Sequence, residues 1–260
     1  MVGTKFPALL PTPYFCPPKC LYMQLLLLSN STNAGEGYLE YARPYIGDFL
    51  LRRGITHILF IPYAAVSFSY DDYLLSVQEK LAPLDMTASS VHTYDDPVAA
   101  VQQAQAIVIG GGNTFHLLKN LQEKNLLEAI RTKVLGGTPY VGWSAGANIA
   151  CPTICTTNDM PIVEPLSFSA LRFIPFQINP HYLDAHPSGH AGETREQRLT
   201  EFIIANPHRY VAGLREGTLF LFENGHLSLL GDKSVRIFKY GRDTRELQQG
   251  DDFSFLLAAD

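Results

Sequence analysis

A chain of 260 residues that is 46% hydrophobic and 17% charged carries enough apolar material for one well-buried core, and its composition excludes an intrinsically disordered polymer. The formal net charge of -5, with no long run of Lys or Arg, argues against a nucleic-acid surface, which needs clustered cations to neutralise phosphates. No uninterrupted apolar stretch suits a signal core or a membrane span, so the expectation is no membrane association and a place in the cytoplasm.

Residues 1–22, "MVGTKFPALLPTPYFCPPKCLY", hold five prolines and predict a flexible leader outside a single α/β domain at 23–260. Two cysteine pairs, Cys16/Cys20 and Cys151/Cys155, have a Cys-x-x-x-Cys spacing unlike that of structural zinc sites. Free thiols in a reducing compartment are expected, with no metal. The sequon at Asn30 is expected to be unused.

From Met23 onward, apolar runs alternate with helical stretches. "MQLLLLS" predicts a buried strand and Gly37 to Leu50 a helix, despite Pro44. "THILFIP" is a strand stopped by Pro62, and Asp71 to Leu81 a helix. "MTASSVH" predicts a strand before a helix opened by Pro97, with Asp95 or Asp96 near its start. "AIVIGGGNTFHLLKNL" reads as strand, glycine turn and helix, and the alternation continues through "TPYVGWSAGANIA" and "FIPFQINPHY". A helix over Glu193 to Ala205 and a strand "RYVAGL" follow. "TLFLFENGHLSLLG", "SVRIFKY" and "DFSFLL" predict short antiparallel strands, the first folded into a hairpin at Asn224-Gly225. The fold class expected is α/β, a mostly parallel sheet covered on both faces by helices, with antiparallel strands near the C-terminus.

Gly142-Trp143-Ser144-Ala145-Gly146 matches G-x-S-x-G, in which small neighbours permit the sharp turn that exposes a nucleophilic serine. A glycine-rich packing turn with an incidental serine would have the same five residues. Gly110-Gly111-Gly112-Asn113 lacks the last glycine of a dinucleotide fingerprint and the lysine of a Walker loop, so no cofactor is expected. Its unhindered N–H groups suit an oxyanion. His181, just past a predicted strand, is the candidate base, because ligand-facing groups of α/β sheets gather at strand carboxyl ends. His186 and His190 share a Pro- and Gly-containing loop and are weaker candidates. Asp159 and Glu216 compete to orient the imidazole: Asp159 gives the chain order Ser, Asp, His, and Glu216 follows a predicted strand.

"LLLLSNST", "VIGGGNTFHLL", "YVGWSAGANIACPTICTTNDMPIV", "FQINPHY" and "GHAGETREQR" together resemble the peptidase E family of α-aspartyl dipeptidases, serine peptidase family S51. The resemblance runs from about Met23 to the final strands. It implies a fold like that of class I glutamine amidotransferases (flavodoxin-like), Ser144 as nucleophile and His181 as base. The third member falls on Asp159 or Glu216, and the oxyanion donors on the backbone N–H groups of Gly112 and Ala145. Arg195 falls on the arginine that holds the substrate aspartate, with Asn113 beside the same site. The implied substrates are small peptides with N-terminal Asp, handled by a monomer or homodimer. A glutamine amidotransferase would carry cysteine where this chain has Ser144. A cyanophycinase-like enzyme would accept β-linked aspartyl substrates, and a non-catalytic binding protein of the same fold would not need the full set.

Overall fold

A computed structural model describes residues 22–184 and 192–258. The predicted leader apart from Tyr22, including Cys16 and Cys20, lies outside the described residues, as do His186 and His190.

Five short strands run parallel: β1 (Leu25–Leu28), β2 (His57–Ile61), β3 (Thr87–Ser90), β4 (Ile107–Ile109) and β5 (Tyr140–Trp143). Between them lie α1 (Arg43–Leu51), α2 (Tyr70–Leu81), α3 (Pro97–Gln103), α4 (Thr114–Glu123) and α5 (Leu126–Leu135). Alternate strand residues point to opposite faces, and both faces are apolar. Leu25, Leu27, Leu59, Ile61, Ile107 and Ile109 share one core with Leu117, Leu121, Ile130 and Val134 of α4 and α5. Their neighbours Leu26, Leu28, Ile58, Phe60, Val108 and Val141 pack with Ile46 and Phe49 of α1 and Tyr73 and Val77 of α2. A hairpin of β8 (Leu219–Glu223) and β9 (His226–Leu230) adds antiparallel to β1, giving the order β3-β2-β4-β5-β1-β8-β9. Asn224 and Gly225, both with positive φ, make its turn. This is the flavodoxin-like, class I glutamine amidotransferase-like arrangement.

The alternation does not stay in one sheet. β6 (Gln177–Tyr182) and the parallel β7 (Tyr210–Arg215) join β10 (Val235–Lys239) and β11 (Arg245–Leu247) in a second sheet, ordered β11-β10-β7-β6. Ile178, Ala212 and Leu214 pack from this sheet into the first core. Tyr182, Val211 and Phe238 face the other way, against Leu199 and Ile203 of α7 (Arg195–Ala205).

Local differences from the sequence expectations have local causes. The first helix begins at Arg43 rather than Gly37, because Leu39 adopts positive φ and Pro44, which lacks an N–H, fits only a first turn. Asp96, not Asp95, caps α3, its carboxylate accepting from Val98 and Ala99 N–H. α5 and β11 were not expected. "DFSFLL" holds a 3-10 turn over Ser254–Leu256, whose first N–H, that of Ser254, donates to the Asp252 carboxylate, instead of a strand.

Candidate active site

The glycine turn after β4 and the serine after β5 leave the same, carboxyl-terminal edge of the parallel sheet, since Ile109 pairs with Gly142 in register. Ser144 sits between β5 and the short α6 (Ala145–Asn148) at φ 53, ψ -111, a conformation L-residues rarely hold and one that lifts the hydroxyl from the fold. The flanking residues enforce it. A Cβ on Gly142 would lie 2.3 Å from the Gly146 carbonyl oxygen, and one on Gly146 would lie 2.2 Å from that of Ile109. The two glycines therefore serve close strand–helix approach, and the serine between them is exposed enough to react.

His181 also has positive φ, at 52, and lies where the β6–β7 register shifts between Asn179 and Tyr182. The bulge aims its ring at the serine. Its Nε2 is 3.0 Å from Ser144 Oγ and its Nδ1 is 2.7 Å from Glu216 Oε1. An ionised carboxylate only accepts, so Nδ1 carries the proton and Nε2 is free to accept from the serine hydroxyl. Glu216 directly follows β7, the neighbour of β6, which is how residues 35 positions apart meet.

Asp159 lies elsewhere. It accepts from the Thr114 N–H at 2.7 Å, the Thr114 hydroxyl at 2.6 Å and the Thr157 hydroxyl at 3.0 Å, at the start of α4. Asn113 caps the same helix: its Oδ1 accepts from His116 N–H and its Nδ2 donates to the Met160 carbonyl. Both residues fix the glycine turn rather than the imidazole. Gly112 has φ +135, and a Cβ there would lie 2.2 Å from the Ala64 carbonyl oxygen. Gly111 lies against Ser144, a Cβ on it falling 3.0 Å from the serine Cβ. The N–H groups of Gly112 and Ala145 have no acceptor among the described residues.

Arg195 is the first residue of α7, behind a capping box formed by Thr194 and Gln197. Its guanidinium donates to Asn158 Oδ1. Asn158 Nδ2 in turn donates 2.6 Å to the carbonyl of Pro180, the residue before His181. Burial, then the neighbouring Arg198, holds the Arg195 guanidinium below its ordinary pKa. Among the described residues no carboxylate pairs with it. Asn158 is a residue sequence reasoning missed, and only its place two residues after Thr156 in a polar run could have drawn notice.

Arg215, beside Glu216, forms a bidentate pair with Asp184 at 2.6 Å and reaches Glu246 at 2.8 Å. Arg236 extends this network to Glu196 at 2.8 Å. Arg215 therefore lowers the pKa of both Asp184 and Glu246.

A second Ser–His–Asp chain runs from the end of β3 through the 3-10 turn after it to α2: Ser90 Oγ is 2.6 Å from His92 Nδ1, and His92 Nε2 is 3.0 Å from Asp71. Ser90 is fully buried and offers no accessible nucleophile. Cys151 is also buried, which pushes its thiol up to about 12, and it is free, as is exposed Cys155. Among the described residues no group of three His, Cys, Asp or Glu is placed to hold a metal, and no helix is long and apolar enough to cross a membrane.

A strained serine at a strand-to-helix turn, bonded to a histidine that is bonded to a carboxylate, defines an α/β serine hydrolase site. The profile of peptidase family S51 matches residues 25–230, and the chain belongs to that family. It is 49% identical over 234 residues to peptidase E of Nostoc sp. (strain PCC 7120), covering 90% of this chain and 96% of that one. It is 47% identical over 231 residues to peptidase E of Escherichia coli O1:K1 / APEC, covering 89% and 100%. The crystal structure of a peptidase from an acI-B1 Actinobacterium superposes with a TM-score of 0.68 at 19% identity, covering 90% of this chain and 97% of that one, and so shares the fold.

Proposed function

We propose that the chain is a serine dipeptidase that hydrolyses α-aspartyl dipeptides through an aspartyl acyl-enzyme. One observation carries this reading: the continuous line from Ser144 Oγ through His181 to Glu216, with links of 3.0 and 2.7 Å. His181 Nε2 takes the hydroxyl proton as Ser144 Oγ bonds to the carbonyl carbon of the substrate's first residue. The oxyanion that forms is received by the N–H groups of Gly112 and Ala145, where binding contributes most to rate. Collapse breaks the C–N bond, and the imidazolium gives its proton to the leaving amine. Water then attacks the ester carbonyl, passing a proton to His181, and Ser144 leaves reprotonated. Glu216 holds the imidazole in the required tautomer and stabilises the imidazolium.

Arg195 is assigned to the substrate's side-chain carboxylate, because its planar fork matches two oxygens and no described carboxylate occupies it. The second amide hydrogen of Asn113 remains for the substrate beside the oxyanion donors. No cofactor takes part in this scheme. We place the peptidase domain at 23–260, with residues 1–22 outside it, acting in the cytoplasm as a monomer or homodimer. The test is hydrolysis of α-Asp-X and β-Asp-X dipeptides by the wild type and Ser144→Ala. Turnover of α-Asp-X alone, abolished in a folded Ser144→Ala, is expected. Equal turnover by the mutant overturns the nucleophile, and preference for β-Asp-X overturns the substrate class.

A further inference from the structure

The end of β1 holds the backbones of Ser144 and His181 and of Gly217, the neighbour of Glu216. The Leu28 carbonyl accepts from the Ser144 N–H at 3.1 Å. Ser29 Oγ accepts from the His181 N–H at 2.9 Å and donates to the Leu214 carbonyl at 2.7 Å. Asn30 Oδ1 accepts at 2.9 Å from the N–H of Gly217, the residue after Glu216. Ser29 and Asn30 are both fully buried. A buried polar side chain costs stability unless it is bonded, so these two residues stand at a strand end where an apolar pair would otherwise serve.

The bulge explains why a hydroxyl is needed. The β6–β7 register passes from Asn179 opposite Gly213 to Tyr182 opposite Arg215, leaving Pro180 and His181 to face Leu214 alone. Pro180 has no N–H to give. The His181 N–H and the Leu214 carbonyl are thus held by a group that both accepts and donates, which a single serine hydroxyl does. That hydroxyl stands in for a ladder bond at the point where His181 adopts φ 52 to aim its ring.

We propose that Ser29 is a positioning residue for His181: its hydroxyl fixes the bulged backbone from which the imidazole reaches both Ser144 and Glu216. The proposal rests on the reading of Ser144, His181 and Glu216 given above. Ser29 is buried and meets no substrate, so its loss acts on alignment and not on binding. An ångström of misplacement at a catalytic group is worth up to about 100-fold in rate.

The experiment compares Ser29→Ala, Ser144→Ala and Ser90→Ala in the full chain on one α-Asp-X dipeptide. Ser29→Ala is expected to lower kcat about 10- to 100-fold with KM held within about twofold, the signature of an interaction used in the transition state. The NMR resonance of the His181 Nδ1 proton shared with Glu216 should shift or broaden. Ser90→Ala, which removes an equally buried hydroxyl at a distance, should lower Tm and leave kcat unchanged. If Ser29→Ala does not fold, the near-isosteric Ser29→Cys, a weak donor and acceptor, replaces it with the same expectation. Wild-type kcat with an unmoved resonance, or a rise in KM alone, overturns the positioning role. An active Ser144→Ala instead overturns the reading of the site, whereas an inactive Ser144→Ala beside a normal Ser29 variant overturns only this inference.

Discussion

Replacing Glu216 by Gln keeps the size of the side chain and removes its charge. The carboxylate lies 2.7 Å from His181 Nδ1. With charge centres about 4 Å apart, its attraction for the imidazolium is about 1 kcal/mol in water and about 4 kcal/mol at an effective dielectric of 20. The two side chains are 37% and 39% exposed, so solvent screens much of this. The lower part of the range applies, about 1–2 kcal/mol or roughly 5- to 30-fold in rate. A second effect adds to it. The Gln amide can turn its NH2 to Nδ1, which puts the ring proton on Nε2, facing Ser144, where a base is needed. The equivalent change in a serine-protease triad costs about 10⁴-fold. Glu216→Gln should therefore lower kcat/KM for Asp-X by about 30-fold to 10⁴-fold. Asp159→Asn weakens bonds at the start of α4, where a charge is worth about 0.3–1 kcal/mol, and should cost a few degrees of Tm and less than about tenfold in kcat/KM. Steady-state kinetics and thermal melts on both variants decide the matter. A larger kinetic loss in Asp159→Asn than in Glu216→Gln would refute the reasoning.

Arg195→Met should erase most of the preference for Asp-X over Asn-X, measured as a ratio of kcat/KM at fixed X; an unchanged ratio means another group reads the carboxylate. Gly112→Ala should fold and lose kcat by about 10²-fold or more, because the new Cβ, placed 2.2 Å from the Ala64 carbonyl, must push one oxyanion donor away. Near-wild-type kcat in that variant removes Gly112 from the oxyanion site. Asp184 and Glu246 have pKa values lowered by Arg215 from the ordinary 3.8 and 4.5, so the stability they contribute is complete above those values and lost as pH falls below them. Tm should drop across that acidic range in the wild type and less steeply in Arg215→Met; parallel curves would exclude the network as the cause.

Sequence alone determined whatever depends on neighbours along the chain. The strands "LLLL", "HILFI" and "YVGW" are apolar on both faces, so burial between two helical layers followed from composition. The elbow around Ser144 and the turn at Asn224-Gly225 are sterically specified by adjacent glycines, which have few other conformational reasons to occur there. Tertiary structure decided what depends on which strands share a sheet. In the sequence Asp159 competes with Glu216 through its chain order, and Glu216 is preferred for following a strand; only the pairing of β6 with β7 in a second sheet brings Glu216 to His181 and leaves Asp159 on Thr114. Ser29 closes the predicted strand and Asn30 reads as an unused sequon, and their partners lie 152 and 187 residues away. A hydrogen bond over such a distance leaves no periodicity in the sequence, because its geometry is set by the packing of two sheets and not by the residues on either side.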